Sequence, residues 1–270
     1  MQQSREISSR FAPLASNVRA AQTWGGGGRG YEVISRQIAN IIEHCIDRLD
    51  PQRGERILDV ATGTGWAARR VARRGAECVG VDFAAGVLEV ARDLAMPGTS
   101  FAIADAEALP YEDGEFDGVL STFGVMFCAN PEAAASELAR VCRPGGRMAL
   151  AVWPAHGGVH EMFKVLTRFA QKPGPSPFAW AETEQLERLF GHSFDIAVED
   201  AVSYYREPDG ASAWQSFVNG YGPIRTVADS LSASDRMSLE RAFVELHEEY
   251  RTPLGVLMPR PYRIVVGRRR

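Results

Sequence analysis

An α/β fold on a doubly wound, mostly parallel sheet is predicted for this chain by three observations. Beyond Pro51, short apolar runs alternate with amphipathic segments at the period of strand–helix crossover units. The first run, Ile57-Leu58-Asp59-Val60, ends in the small-residue loop Ala61-Thr62-Gly63-Thr64-Gly65 and turns straight into a helix-like segment. A chain of 270 residues with 45% apolar and 24% charged side chains is long and apolar enough to bury a sizeable core.

Residues 1–30 are polar and then glycine-rich (Trp24, Gly25 to Gly28, Arg29, Gly30), which reads as a mobile lead segment. Tyr31 to Leu49 places Val33, Ile34, Ile38, Ile41, Ile42, Cys45 and Ile46 at helical spacing, an amphipathic helix. Strand 57–61 is followed by helix 65–74, strand 77–82 by helix 84–95, and strand 100–104 by a loop. Strand 116–121 precedes a helix near 131–142, and Arg143-Pro144-Gly145-Gly146 turns into strand 147–153. Further on, helices are expected over 159–170 and 181–190, with a loop at 173–177 between them. A long strand over 194–205, helices over 209–222 and 233–251, and a last strand at 262–266 complete the chain. The division is a lead segment and helix over 1–50, a core over 51–153, and the rest of the sheet over 154–270. A helical cap inserted at about 207–258 is expected over the carboxyl ends of the strands.

Composition excludes several classes. No stretch approaches ~20 uninterrupted apolar residues, so no membrane span is expected. Met1-Gln2-Gln3-Ser4-Arg5 opens polar sequence without an apolar signal segment, and a cytoplasmic chain is expected. A net charge of −4 argues against a general nucleic-acid partner, and Arg268-Arg269-Arg270 reads as a solvated tail. Cys45, Cys78, Cys128 and Cys142 have neither disulfide nor metal-ligand spacing, so reduced thiols and no metal are expected. The oligomeric state is open.

The strand–loop–helix at 57–65 is the arrangement in which backbone comes close to a bound nucleoside, because glycine leaves room and tolerates positive φ. Asp82 ends the second strand, seventeen residues beyond Gly65, where a carboxylate can accept both hydroxyls of a ribose. It can also cap the helix at 84. Asp105-Ala106 follows the third strand at the height of an adenine edge, or is a plain loop acid. Asp59 can brace the loop or meet a ligand ammonium.

Five segments taken together resemble the class I S-adenosylmethionine-dependent methyltransferases: Ile57 to Gly65, Val81-Asp82, Ala104-Asp105-Ala106, Phe116-Asp117-Gly118-Val119-Leu120-Ser121 and Arg143-Pro144-Gly145-Gly146-Arg147. The likeness is to the small-molecule branch that includes the ubiquinone/menaquinone-biosynthesis type, and it covers roughly 55–153. Phe123-Gly124-Val125-Met126-Phe127 and Trp153-Pro154 also resemble bacterial members. The resemblance implies a Rossmann-like seven-stranded sheet with a reversed last strand and S-adenosylmethionine as cofactor. Asp59, Ala61 and Gly63-Thr64-Gly65 would lie by the methionine moiety, and Asp82 with Phe83 by the ribose. Asp105 and Ala106 would lie by the adenine, and Ser121, Thr122 and Phe123 near the transferable methyl. Ala61 departs from the glycine common in the family.

Gly63-x-Gly65-x-x-Ala68 also fits a dinucleotide oxidoreductase fingerprint. The acid four positions before Gly63 and the acidic loop at 105 are features an NAD(P)-dependent dehydrogenase does not need. A non-catalytic cofactor-binding subunit, regulatory or structural, is a further alternative that an enclosed cavity beside Phe123 would count against. The Asn/Asp-Pro-Pro-aromatic motif of base aminomethylases is replaced here by Ser121-Thr122-Phe123-Gly124.

Methyl transfer from a sulfonium is an in-line displacement helped by proximity, a dry aromatic pocket and, for some acceptors, a base. His156, just after strand 147–153, is the leading candidate base, with His160 four residues on. Tyr221 and Tyr31 can orient an acceptor. Trp24 and the glycine run can close as a lid. Trp24, Tyr31, Phe127 and Trp153 are candidate acceptor contacts, and with Phe123, Met126, Trp214 and Phe217 they point to an apolar or aromatic small-molecule acceptor, aromatic or polyketide-like.

Overall fold

Long apolar runs in the middle of the chain become the centre of one twisted sheet. The computed structural model describes residues 11–170 and 176–270, so the polar opening at 1–10 and most of the expected 173–177 loop lie outside it. The sheet contains β1 (Arg56–Val60), β2 (Glu77–Asp82), β3 (Thr99–Ile103), β4 (Phe116–Thr122) and β5 (Cys142–Val152). It is completed by β6 (Phe194–Glu207), β7 (Arg251–Thr252) and β8 (Gly255–Arg269). The order is β3-β2-β1-β4-β5-β8-β6, with β7 attached to β8. Neighbours from β3 to β5 are parallel, and β8 runs antiparallel to both β5 and β6.

The expected reversed last strand is thus present, and it sits between β5 and β6. The expected seven strands become eight because Arg251 and Thr252 pair with Val256 and Gly255 across a tight turn, with Gly255 at φ 106°. Central strands β1, β4 and β5 bury Ile57, Leu58, Val119, Leu120, Ala149 and Leu150 completely. Burial on both faces is why these strands read as unbroken apolar runs.

Helices α1 (Val18–Gly25), α2 (Tyr31–Gln37), α3 (Ala39–Leu49), α4 (Trp66–Arg73), α5 (Ala85–Asp93) and α6 (Pro131–Val141) flank the first five strands. Then come α7 (Gly158–Thr167), α8 (Thr183–Phe190), α9 (Gly210–Gly220), α10 (Gly222–Ser230) and α11 (Ala233–Glu248). Asn130 caps α6 by accepting from the Ala133 amide (3.1 Å), with Pro131 at the first helical position. Asp209 caps α9 in the same way through the Ser212 amide (2.7 Å).

Several expectations are corrected. The helix expected over 31–49 breaks at Ile38 (φ −114°) into α2 and α3, which leaves Val33 43% exposed. The helix expected over 209–222 ends at Gly220, and past Tyr221 an unexpected helix follows over Gly222–Ser230, so three helices rather than two lie between β6 and β7. The glycine-rich stretch over 25–30 forms helical turns whose backbone abuts the α9–α10 junction. A Cβ on Gly30 would lie 2.6 Å from the Asn219 carbonyl oxygen, so these glycines serve close backbone packing. The terminal arginines are not a solvated tail as a group. Arg269 donates to the Ala139 and Ser193 carbonyls, and Arg270 to Asp195, because β8 extends through Arg269 alongside β6. All four cysteines are free thiols. Among the described residues no helix is long and apolar enough to cross a membrane, and no cluster of potential ligands is set to hold a metal.

Candidate functional site

The strand order reverses at β1, whose neighbours β2 and β4 lead off in opposite directions. The carboxyl ends of these strands therefore open a crevice, the place where open α/β sheets take ligands. Ala61, Gly63 and Gly65 all adopt positive φ (57°, 56° and 80°), and Gly65 leads into α4. Ala61 accepts the left-handed conformation that glycine would take freely, at a cost of about 1–2 kcal/mol. Phe123, at the end of β4, is also left-handed (φ 59°). That is a strained geometry for a bulky side chain, of the kind that clusters at working sites.

Asp82 ends β2 beneath this loop. One of its carboxylate oxygens accepts from the Gly63 amide and the other from the Ala84 amide, both at 2.9 Å. A carboxylate offers about four lone-pair sites, so capacity remains for further donors. Asp82 is thus both loop brace and helix anchor, and it lines the main cavity.

Asp59 is fully buried and holds the loop from below, accepting from Thr62 Oγ1 (2.6 Å) and the Ala68 amide (3.1 Å). Its Oδ1 has no partner among the described residues. Burial pushes the Asp59 carboxyl up to about 7 and that of Asp82 up to about 6, against the hydrogen bonds that favour their charged forms. A carboxyl whose folded pKa lies above its unfolded value near 3.9 binds more protons when folded, so its contribution to stability falls as pH rises through about 4–7. Wild type is therefore expected to gain stability relative to Asp59→Asn as pH is lowered from about 7.5 to about 5. Urea unfolding at the two pH values checks this, and a constant difference would contradict it.

Asp105 anchors the N-terminal segment: its Oδ2 accepts from the Leu14 amide (3.0 Å) and Asn17 Nδ2 (2.9 Å), and its Oδ1 from the Glu107 amide (3.0 Å). Ser121 is wholly buried, donating to the Val60 carbonyl (2.7 Å) and accepting from the Val125 amide (3.2 Å). It ties β4 to β1.

Two adjoining cavities lie at this end of the sheet. The larger, about 990 Å³, brings together Ala61, Gly63, Asp82, Phe83, Asp105, Ala106, Thr122 and Phe123, with Trp24, Tyr31 and Phe127 from the acceptor candidates. Asp59, Thr64, Gly65 and Ser121 line neither cavity and act from behind the wall. Trp153 and Tyr221 line the second, about 590 Å³, which meets the first at Trp24, Tyr31, Ile38, Phe123 and Phe127. His156 is exposed on the loop after β5 and lines neither. The sequence reading missed Asn17, Ser35 and Glu107 in the first cavity and His247 and Arg260 in the second. Arg260 was readable: it shares the inward parity of β8 with Val256, Met258 and Tyr262. His247 belongs to a helix whose contacts only the packed cap defines.

These residues fit the S-adenosylmethionine that the motif resemblance implies. The remaining acceptor capacity of Asp82 suits a ribose diol, and Ala61, Thr62 and Gly63 line the cavity with small residues. A family described as methyltransferase domain matches residues 58–150, the span from β1 through most of β5. An uncharacterized protein of Mycobacterium tuberculosis is 33% identical over 258 residues, covering 90% of this chain and 91% of that protein. A demethylmenaquinone methyltransferase of Corynebacterium efficiens is 31% identical over 181 residues, covering 64% of this chain and 76% of that protein. Phosphoethanolamine N-methyltransferase 2 of Haemonchus contortus, solved with phosphomonomethylethanolamine and S-adenosylhomocysteine, shares the fold. Its TM-score is 0.55 at 20% identity, over 85% of this chain and 52% of that one. Motifs, relatives and the crevice at the strand ends agree, and the chain belongs to the class I S-adenosylmethionine-dependent methyltransferases.

Proposed function

We propose that this enzyme methylates an aromatic small molecule held in the second cavity. The observation that carries the reading is the wall of that cavity. Phe123 and Trp153 stack with centroids 3.7 Å apart and planes 6° apart, and Trp24, Phe127, Phe163, Phe217 and Tyr221 complete an aromatic chamber beside the cofactor cavity. An aromatic cavity beside Phe123 counts against an inert subunit. Bound S-adenosylmethionine supplies an electrophilic methyl on a sulfonium. Phe123 and Phe127 border both cavities, where their faces can stabilise positive charge and exclude water.

His247 lines the second cavity and exposed His156 does not, which supports His247 as the group that takes a proton from the acceptor. Its Nδ1 lies 2.8 Å from the Phe243 carbonyl, which can only accept, so Nδ1 carries the hydrogen and Nε2 is the acceptor nitrogen. Burial lowers its pKa and keeps the ring neutral near pH 7. The N-terminal segment contributes Asn17, Ala20 and Trp24 to the cofactor cavity and acts as a lid that opens for exchange. A Cβ at Gly222 would overlap the Thr23 carbonyl oxygen and lie 3.0 Å from that of Trp24. Gly222→Ala is expected to undock the segment and speed tryptic cleavage at exposed Arg29, while S-adenosylhomocysteine slows it in wild type. Cleavage unchanged by both would sink the lid.

Calorimetric titration with S-adenosylmethionine, S-adenosylhomocysteine and NADH, followed by transfer of labelled methyl to a panel of hydroxylated and amino aromatics, tests the function. Micromolar binding of the first two and labelling of an aromatic acceptor are expected, with kcat reduced about a hundredfold in His247→Gln and cofactor affinity unchanged. Labelling of protein or nucleic acid but of no aromatic would overturn the acceptor class.

A further inference from the structure

Arg260 carries the only formal charge among the described residues of the aromatic chamber, and it is 5% exposed. Its guanidinium lies 5.3 Å from the Tyr205 ring centre and 5.8 Å from that of Trp153. It makes one hydrogen bond, to the Gln37 carbonyl, although a guanidinium has five N–H donors. Nε is buried without a partner among the described residues. Among the described residues it forms no ion pair with a carboxylate, and burial pushes its pKa down to about 10. Glu207 is engaged elsewhere, accepting from Tyr205 Oη (3.1 Å) and Ser216 Oγ (2.8 Å). Burying an ionised guanidinium without a counter-charge is costly, and ring faces offset only part of that cost. Here the missing counter-charge faces a cavity large enough for a ligand.

We propose that the methyl acceptor is a planar aromatic molecule bearing an anionic oxygen group, a carboxylate or an acidic enolate, which pairs with Arg260 inside the chamber. The inference rests on reading this chamber as the acceptor site. The guanidinium fork suits two oxygens of one acid, and the dry surroundings strengthen the pair. The anion anchors one end of the ring system against β8, and the Phe123–Trp153 stack at the border of the cofactor cavity receives its face. Arg260 is then a specificity-determining residue.

Full-length protein saturated with S-adenosylhomocysteine is titrated by calorimetry with 2-naphthoate against 2-naphthamide, and with 4-hydroxycoumarin against coumarin. At least about a tenfold preference for the anion is expected in one pair, and that pair distinguishes carboxylate from enolate. Arg260→Met is expected to reduce the preference to within about twofold with S-adenosylhomocysteine affinity unchanged. Arg260→Gln, which keeps a donor for the Gln37 carbonyl, gives the same readout if the apolar replacement disturbs folding. Equal binding of charged and neutral probes, a preference that survives in both variants, or no binding of either anion would overturn the proposal. Failure of S-adenosylhomocysteine to bind wild type would instead strike the cofactor-binding site on which the proposed function depends.

Discussion

Asp82→Ala is expected to weaken binding of both S-adenosylmethionine and S-adenosylhomocysteine by at least about a hundredfold. Hydrogen bonds to a charged group contribute roughly 1.5–3 kcal/mol each, and a ribose diol would make two of them to this carboxylate. The same carboxylate fixes the Gly63 and Ala84 amides (2.9 Å each), so its removal also slackens the loop beside the main cavity. Asp82→Asn separates the two effects. An amide can still accept from one backbone N–H but points a donor at the other, so intermediate affinity is expected. Calorimetry on both variants, with circular dichroism to confirm folding, checks the outcome. Wild-type affinity in Asp82→Ala would remove this residue from the ribose site.

Gly65→Ala should cost about 2–5 kcal/mol of stability, the second large effect. Its φ of 80° is strained for an L-residue by about 1–2 kcal/mol. Its Cβ would also lie 2.7 Å from Phe101 Cζ and 2.9 Å from Cε1, an overpacking of roughly 1–3 kcal/mol. For a chain of this size the melting temperature should fall by roughly 5–15 °C. Gly54→Ala is the control, because Gly54 has φ 82° with nothing within 4 Å of its would-be Cβ. It should lose only the backbone share. Equal losses in the two variants would show that the contact with Phe101 contributes nothing.

Much of the candidate site was legible because its signals are local. Asp59, Gly63 and Asp82 sit at strand ends, and a strand end is set by its own apolar run and the turn that follows. What each acid does there was not local. Asp59 braces the loop from behind the wall, and Asp105 spends both oxygens on the N-terminal segment and its own loop. Sequence gives the charge but not the neighbour that takes it. His156 shows the same limit. Its place after β5 put it at the right end of the sheet, yet the backbone at Gly157 (φ 82°) turns and leaves its side chain exposed.

The proposed acceptor chamber lay further from view. It gathers Phe123, Trp153, Met162, Phe217, Tyr221, His247 and Arg260 from β4, β5, α7, α9, α11 and β8 and the joins between them. No sequence period links such positions. The glycines between 25 and 30 misled for a related reason: glycine at close backbone contact and glycine in a loose loop look alike until the partner helix is in place. The sequence by itself determined the α/β class, the nucleoside-binding edge and the methyltransferase family, because those rest on short-range periodicity, turn chemistry and residues near one another along the chain. Only the tertiary structure decided which polar groups face the cavities and which brace them. Burial and pairing of a side chain depend on surfaces brought together from distant segments.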